Sequence, residues 1–252
     1  MKDTRRRLGV AEVERAIFFD YEGNTKRPPT LLGWRVNGGN HAAIFEAAFA
    51  TCADRYRAKC VVLQDHAQLA RQLIELAERE DRLLVSWSEH DLGVMRAVLD
   101  PSWYERLLAR YRNALRTVRP WHRTTIGPLD QPATLAYFSE LVGFTVPERY
   151  GLGIVGEGLI LLRKQLEEGR SYPALTPRAR AAWVAIVKHN QHDLEATEFV
   201  LRVVLADRHG GPKDGEHSAG GRRQANRPDG PRLRSSRLPA SSSQRTVPQH
   251  TN

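Results

Sequence analysis

Cysteine is nearly absent from this chain: only Cys52 and Cys60 occur. Two thiols at this spacing match neither a zinc site nor a disulfide framework, and they point to a reducing compartment. Long apolar runs are missing as well. No segment approaches the ~18 consecutive apolar residues of a membrane helix. The opening "MKDTRRRLGVAEVERA" has no apolar stretch of signal-peptide length. The expectation is a soluble, cytoplasmic protein without a membrane partner. Several catalytic signatures are also missing. There is no Walker-type Gly-rich loop and no His-Glu-x-x-His zinc motif. Restriction-type nucleases carry an acid followed by Glu/Asp-x-Lys on a strand, but the first lysine after Glu22 is Lys26. No internal repeat is visible.

What is present begins with length and charge. The 252 residues suffice for one large domain or two small ones, and a hydrophobic share of 41% can fill a core. The formal charge is +9, but it is unevenly placed. Residues 207–252 hold nine Lys/Arg and four Asp/Glu, a net of +5, which leaves +4 for residues 1–206. A body so mildly basic does not argue for nucleic-acid binding by charge alone. Residues 207–252 are rich in Gly, Pro, Ser and Arg with few large apolar side chains. They cannot bury enough surface to offset the entropy of ordering, so a disordered basic tail is expected. Residues 1–12 are expected to be a flexible N-terminus, which leaves a folded domain over 13–206.

Within that domain the patterning alternates between periods. "RAIFFDYEG" and "TLLGWRV" read as strands, and "HAAIFEAAF" as a third, with "NGGN" as the hairpin turn. "DHAQLARQLIELAERE" is an amphipathic helix with Asp65 as N-cap. "RLLVSWS" is a short strand, and a helix starts near Asp91. Residues 101–123 read as helical and basic, and "PATLAYFSELVGF" as another helix. A long final helix follows Thr176 as N-cap, with Pro177 in its first turn. Three early strands followed by a strand interleaved with helices predict an α/β fold. Its sheet would be mixed, antiparallel early and parallel later, and flanked by helices.

Three places hold acids that admit a functional reading beside a structural one. Alternation puts Asp20 and Glu22 on one strand face, about 7 Å apart at ~3.3 Å per residue. They could ligate a metal pair or simply be a solvated strand end. Asp91 follows the strand "LLV", where open α/β sheets place active sites, but it or Glu89 could equally be a helix N-cap. His189 and Asp193 are four apart on the final helix, hence on one face, beside the apolar stripe of Trp183, Val187, Leu194, Leu201 and Leu205. They could be an intrahelical pair or part of a site.

Together these three stations resemble the DEDD exonucleases of the ribonuclease H-like superfamily. They are most similar to a predicted ribonuclease H-like group in bacteria, often described beside RecB-type nucleases. The first motif of that group reads like "FFDYEG…PTLLG", and this chain has "IFFDYEGNTKRPPTLLG". Its last motif reads like Tyr-Asn-x-x-Asp-x-x-Ala-Thr, and "HNQHDLEAT" matches at Asn190, Asp193, Ala196 and Thr197. The likeness spans residues 16–205. It implies a ribonuclease H-like fold and a metal-dependent nuclease, a 3′–5′ exonuclease on DNA or RNA. It implies that Asp20, Glu22, Asp91 and Asp193 hold two Mg²⁺ or Mn²⁺ ions, and that His189 activates the water. The spacing is that of the tyrosine subclass, yet the residue is histidine. An imidazole still titrates near neutrality and can serve as base. His192 should face about 100° away from Asp193, by the 3.6-residue turn. Hard cations prefer oxygen donors, so carboxylates suit the implied chemistry.

The substrate implied is single-stranded nucleic acid or a 3′ end. Residues 103–123 combine Arg106, Arg110, Arg112, Arg116, Arg119 and Arg123 with Trp103, Tyr104, Tyr111 and Trp121. Cations that track phosphates and rings that stack bases are the parts of such a surface. Arg119, Trp121 and Arg123, with Asn190, are the expected nucleic-acid contacts. The alternatives are a non-catalytic binding module on the same fold and an unrelated metallohydrolase.

Overall fold

The structure, a computed structural model, describes residues 6–23, 28–53, 61–151 and 153–210. The expected tail therefore lies outside the described residues from 211 onward. The chain divides into two units at Pro212, and only the first contains described residues.

That first unit is an α/β fold built on a mixed six-stranded sheet ordered β4-β3-β2-β1-β5-β6. Strand β1 (Ile17–Glu22) pairs antiparallel with β2 (Leu31–Val36), which pairs antiparallel with β3 (Gly39–Ile44). The β2–β3 hairpin closes through Asn37 and Gly38 at φ 50° and 76°, the backbone a two-residue primed turn demands and Asn-Gly supplies. The outer strands β4 (Val61–Leu63), β5 (Leu84–Ser86) and β6 (Tyr111–Asn113) each add in parallel.

Helices cover both faces. On one lie α3 (His66–Arg79), α4 (Glu89–Arg96) and α5 (Pro101–Arg110). Asp65 caps α3 by accepting from the Gln68 amide at 2.8 Å. The apolar face of α3 (Leu69, Leu73, Ile74) packs with Ile17, Phe19, Tyr21 and Leu32 in one core. On the other face lie α6 (Leu115–Thr125), α7 (Leu135–Leu141), α8 (Ile154–Glu167) and α9 (Pro177–Gly210). Thr176 caps α9 by accepting from the Ala179 amide at 3.3 Å, and Pro177 opens its first turn. Helix α9 serves two cores on that face. Its first half (Ala179, Trp183, Ile186, Val187) packs with α8 and Leu31, Ala42 and Ile44. Its second half (Leu194, Val200, Leu201, Val204) packs with α6, Phe18 and Val85. Asp20, Glu22, His189 and Asp193 sit at the seam between them.

Several expectations need correction. Residues 6–12 are not loose. Leu8 is buried, its amide donates to Thr117 Oγ1 at 2.9 Å, and α1 (Val10–Glu14) follows, with Arg6 paired to Glu12. The tail does not begin at 207, because α9 runs to Gly210 and Asp207 accepts from Trp121 Nε1 at 2.6 Å. The helical reading of 101–123 is broken by β6. Tyr111 turns inward there, and its hydroxyl bonds Ser86 Oγ and the Ser88 carbonyl, each at 3.0 Å. The third strand stops at Ile44, and the "FEAAF" that follows forms a 3₁₀ turn leading into α2 (Ala50–Ala53). Helix α8 and strand β4 were not anticipated.

Candidate functional site

The site is assembled from three elements. Strand alternation puts Asp20 and Glu22 on the α9 side of β1, as the pattern predicts. Asp20 keeps partial solvent access, while Glu22 is 8% exposed. Asp91 comes from the first turn of α4. It is not the cap: Ser88 is, accepting from the His90 amide at 3.3 Å. Asp91 instead turns inward, 4% exposed, and accepts from the Tyr21 backbone amide at 3.3 Å. This bond ties α4 to β1 one residue from each strand carboxylate. His189 and Asp193 come from the middle of α9, one turn apart.

The four carboxylates act on one another. Burial raises the Asp20 pKa well above the ordinary range, and Glu22, Asp91 and Asp193 push it further. Burial is also the main cause for Glu22, raised to about 7, and for Asp91, raised to about 6. For Asp193 burial raises the pKa, against the pull of His189 and His192. Among the described residues, no Lys or Arg forms an ion pair with any of the four.

Among the described residues, His189 is the basic side chain within 4 Å of these acids. Its Nδ1 lies 2.6 Å from the Tyr150 carbonyl, which can only accept, so Nδ1 carries the proton. Its Nε2 faces Glu22 at 3.9 Å and Asp193 at 3.6 Å. Burial opposes a charge on this ring, but Asp193, Glu22 and the Tyr150 carbonyl outweigh it and raise the pKa. His192 turns instead to Glu195 at 3.6 Å, in keeping with its predicted direction. Two open clefts flank His189. One of about 300 Å³ runs past Tyr21, Glu22 and His90; the other, about 390 Å³, passes Trp87, Leu135, Val146 and Asp193.

The expected nucleic-acid contacts are placed differently. Arg119 and Arg123 are exposed on α6. Trp121 is not available for stacking, since its ring lies in the core and its nitrogen is held by Asp207. Tyr111 is likewise core, and Trp103 and Tyr104 pack against the α3 side. Arg106, Arg110 and Arg116 pair with Glu78, Asp81 and Glu89, and Arg112 is buried. The basic-aromatic stretch is therefore largely a scaffold of ion pairs and buried rings. Asn190 is also not a surface contact: it is 1% exposed and bonds Asp20.

Two supporting groups escaped the sequence reading. The Tyr150 carbonyl ends a single 3₁₀ turn, Glu148–Tyr150, too short to leave a pattern. Arg163 of α8 is buried and forks onto Glu46 at 2.6 and 3.1 Å, and reaches Thr30 Oγ1 at 3.3 Å. The Thr30 amide in turn donates to the Glu22 carbonyl at 2.9 Å, so this pair braces the end of β1. A lone arginine inside "GLILLRKQL" was the available signal.

Carboxylate oxygens are the donors a hard divalent cation prefers, and four acids that crowd without a cationic partner fit such an ion chemically. The side chains as placed do not yet enclose one: among the described residues, no three His, Cys, Asp or Glu form a ready-made metal site. Comparison with protein-family models, with curated proteins and with solved structures found no match in any of the three.

Proposed function

We propose that this protein is a ribonuclease H-like, metal-dependent nuclease that cleaves phosphodiester bonds of DNA or RNA, acting as a 3′–5′ exonuclease. One observation carries the reading. Carboxylates from β1, α4 and α9, separated by up to 173 positions between Asp20 and Asp193, meet at one seam, where Glu22, Asp91 and Asp193 together push the Asp20 pKa up. A fold does not maintain such repulsion for stability, and strongly perturbed acids beside a cleft mark functional sites.

Asp20, Glu22, Asp91 and Asp193 would hold two Mg²⁺ or Mn²⁺ ions, which supply neutralisation of charge on the attacking and leaving oxygens of the phosphoryl group. His189 serves as general base. The Tyr150 carbonyl fixes its tautomer and leaves Nε2 directed at the seam. Neutralising Glu22 and Asp193 removes the pull that favours the imidazolium and frees Nε2 to take a proton from water. Tyr21 holds Asp91 through its amide, and Arg163, by way of Thr30, steadies the strand that carries Glu22.

The second reading is a non-catalytic nucleic-acid-binding module on the same fold, and the histidine at 189, where the resembled subclass has tyrosine, favours it. End-labelled single-stranded DNA and RNA, incubated with Mn²⁺, Mg²⁺ or EDTA, separate the two. Cleavage that needs the cation and is lost in Asp20→Asn and Asp193→Asn supports the nuclease. Equal cleavage by all three proteins discards the assigned site, and binding without cleavage selects the module.

A further inference from the structure

The row of β-sheet positions beside Asp20 is unusual. Across the strands, Asp20 faces Gly33 and Gly33 faces Ala42, so the row reads acid, no side chain, methyl. Direct cross-strand partners point to the same side, so this thin stretch lies under α9. Asn190 descends into it. Its Nδ2 donates to the Asp20 backbone carbonyl at 3.1 Å and to Asp20 Oδ2 at 2.9 Å. Its Oδ1 is buried and has no hydrogen-bond partner among the described residues.

The direction of Oδ1 explains the glycine. A Cβ built on Gly33 would lie 1.6 Å from Oδ1 and 2.6 Å from the amide carbon, closer than any side chain tolerates. The Gly33 hydrogen that takes the place of that Cβ therefore points at Oδ1, a weak C–H donor facing an orphan acceptor. Turning the amide over would set Oδ1 against the oxygens of Asp20, acceptor to acceptor, so the orientation is determined. Only a neutral side chain with N–H donors suits the place. A carboxylate at 190 would add a further like charge, and a shorter side chain would not reach.

We propose that Asn190 is a positioning residue that clamps the Asp20 carboxylate against its own strand, and that Gly33 is required because any side chain there evicts it. The clamp fixes the direction of the Asp20 carboxylate, which a bare β-strand would leave to side-chain rotation. The inference rests on the nuclease reading only for its cation readout; the contact stands apart from it.

The test uses the full chain with Gly33→Ala, Asn190→Ala and the double variant. Gly33→Ala should lower Tm sharply, and adding Asn190→Ala should recover most of that loss, a coupling expected only of groups in contact. The carboxyl ¹³C signal of Asp20 should move in Asn190→Ala and stay displaced in the double variant, although its Tm has recovered. Mn²⁺ titration should show at least a tenfold weaker affinity in both. Additive Tm losses, or a carboxyl signal that stays in place, overturn the proposal. If Mn²⁺ binds wild type and double variant equally, the clamp is wrong and the nuclease reading survives. If wild type takes up no Mn²⁺, the nuclease reading falls and the carboxyl signal decides the clamp. Should Gly33→Ala not fold, the Asn190→Ala signal decides it.

Discussion

Acids at the edge of the helical layer and acids at the α9 seam have opposite fates. Glu78 of α3 lies under the Arg106 guanidinium, at 2.5 and 3.1 Å, and this bond holds its pKa below the ordinary value. Glu80 is held down in the same way by Arg82. Both stand in water, where such pairs cost little to form and contribute little. Glu22 and Asp91 are buried and Asp20 is partly so, they lie among other acids instead, and all three are raised. The lesson concerns purpose. A surface acid with an arginine explains itself, whereas a buried acid whose neighbours are acids needs a function to account for its cost.

The largest expected effect breaks the seam outright. Asp20→Asn and Asp193→Asn should each reduce cleavage by about 10³-fold or more, with Tm equal to or above wild type in EDTA because a repulsion has been removed. Next is His189→Ala, which should slow cleavage by roughly 10²–10⁴-fold, the usual share of a general base. It should leave the Mn²⁺-induced rise in Tm intact, which differential scanning fluorimetry reads directly.

A third prediction concerns pH. Glu22 is raised to about 7 from its ordinary 4.5, so between those values the folded state binds the extra proton. Its contribution to stability is then full below pH 4.5 and is lost as pH rises through 7. His66, lowered to about 4 by burial, works the other way and destabilises the fold as pH falls below 6.5. Comparing wild type with Glu22→Gln in EDTA isolates the acid: the decline from pH 4.5 to 7 should be shallower in the variant, and Mn²⁺ should flatten it in wild type. The smallest effect sharpens the contrast from the other side. Glu78→Gln should shift Tm by about 1–2 °C at most and leave cleavage unchanged.

Legibility followed the range of the physics. The β2–β3 hairpin was readable because Asn37-Gly38 favours one turn, and α3 because Asp65 precedes a regular apolar stripe. The strands β4 and β6 were not, since three residues carry no period and are strands only because Ile44 and Val85 offer them a ladder. Trp121 was misread for a related reason. Aromatic and basic residues interleaved on a helix look alike whether the rings face solvent or core, and here α9 covers them. Leu8 had no pattern around it, and its burial depends on Thr117, 109 residues away.

By itself the sequence determined that Asp20 and Glu22 share a strand face and that His189 and Asp193 share a helix face. Those relations come from the backbone repeat and survive any packing. Only the tertiary structure decided that α9 crosses the sheet at Gly33, where a missing side chain admits Asn190. Only it decided that α4 turns Asp91 inward onto the Tyr21 amide. Periodicity states which way a side chain leaves its own element. Which acids it meets there is decided by the close packing of elements remote in the chain.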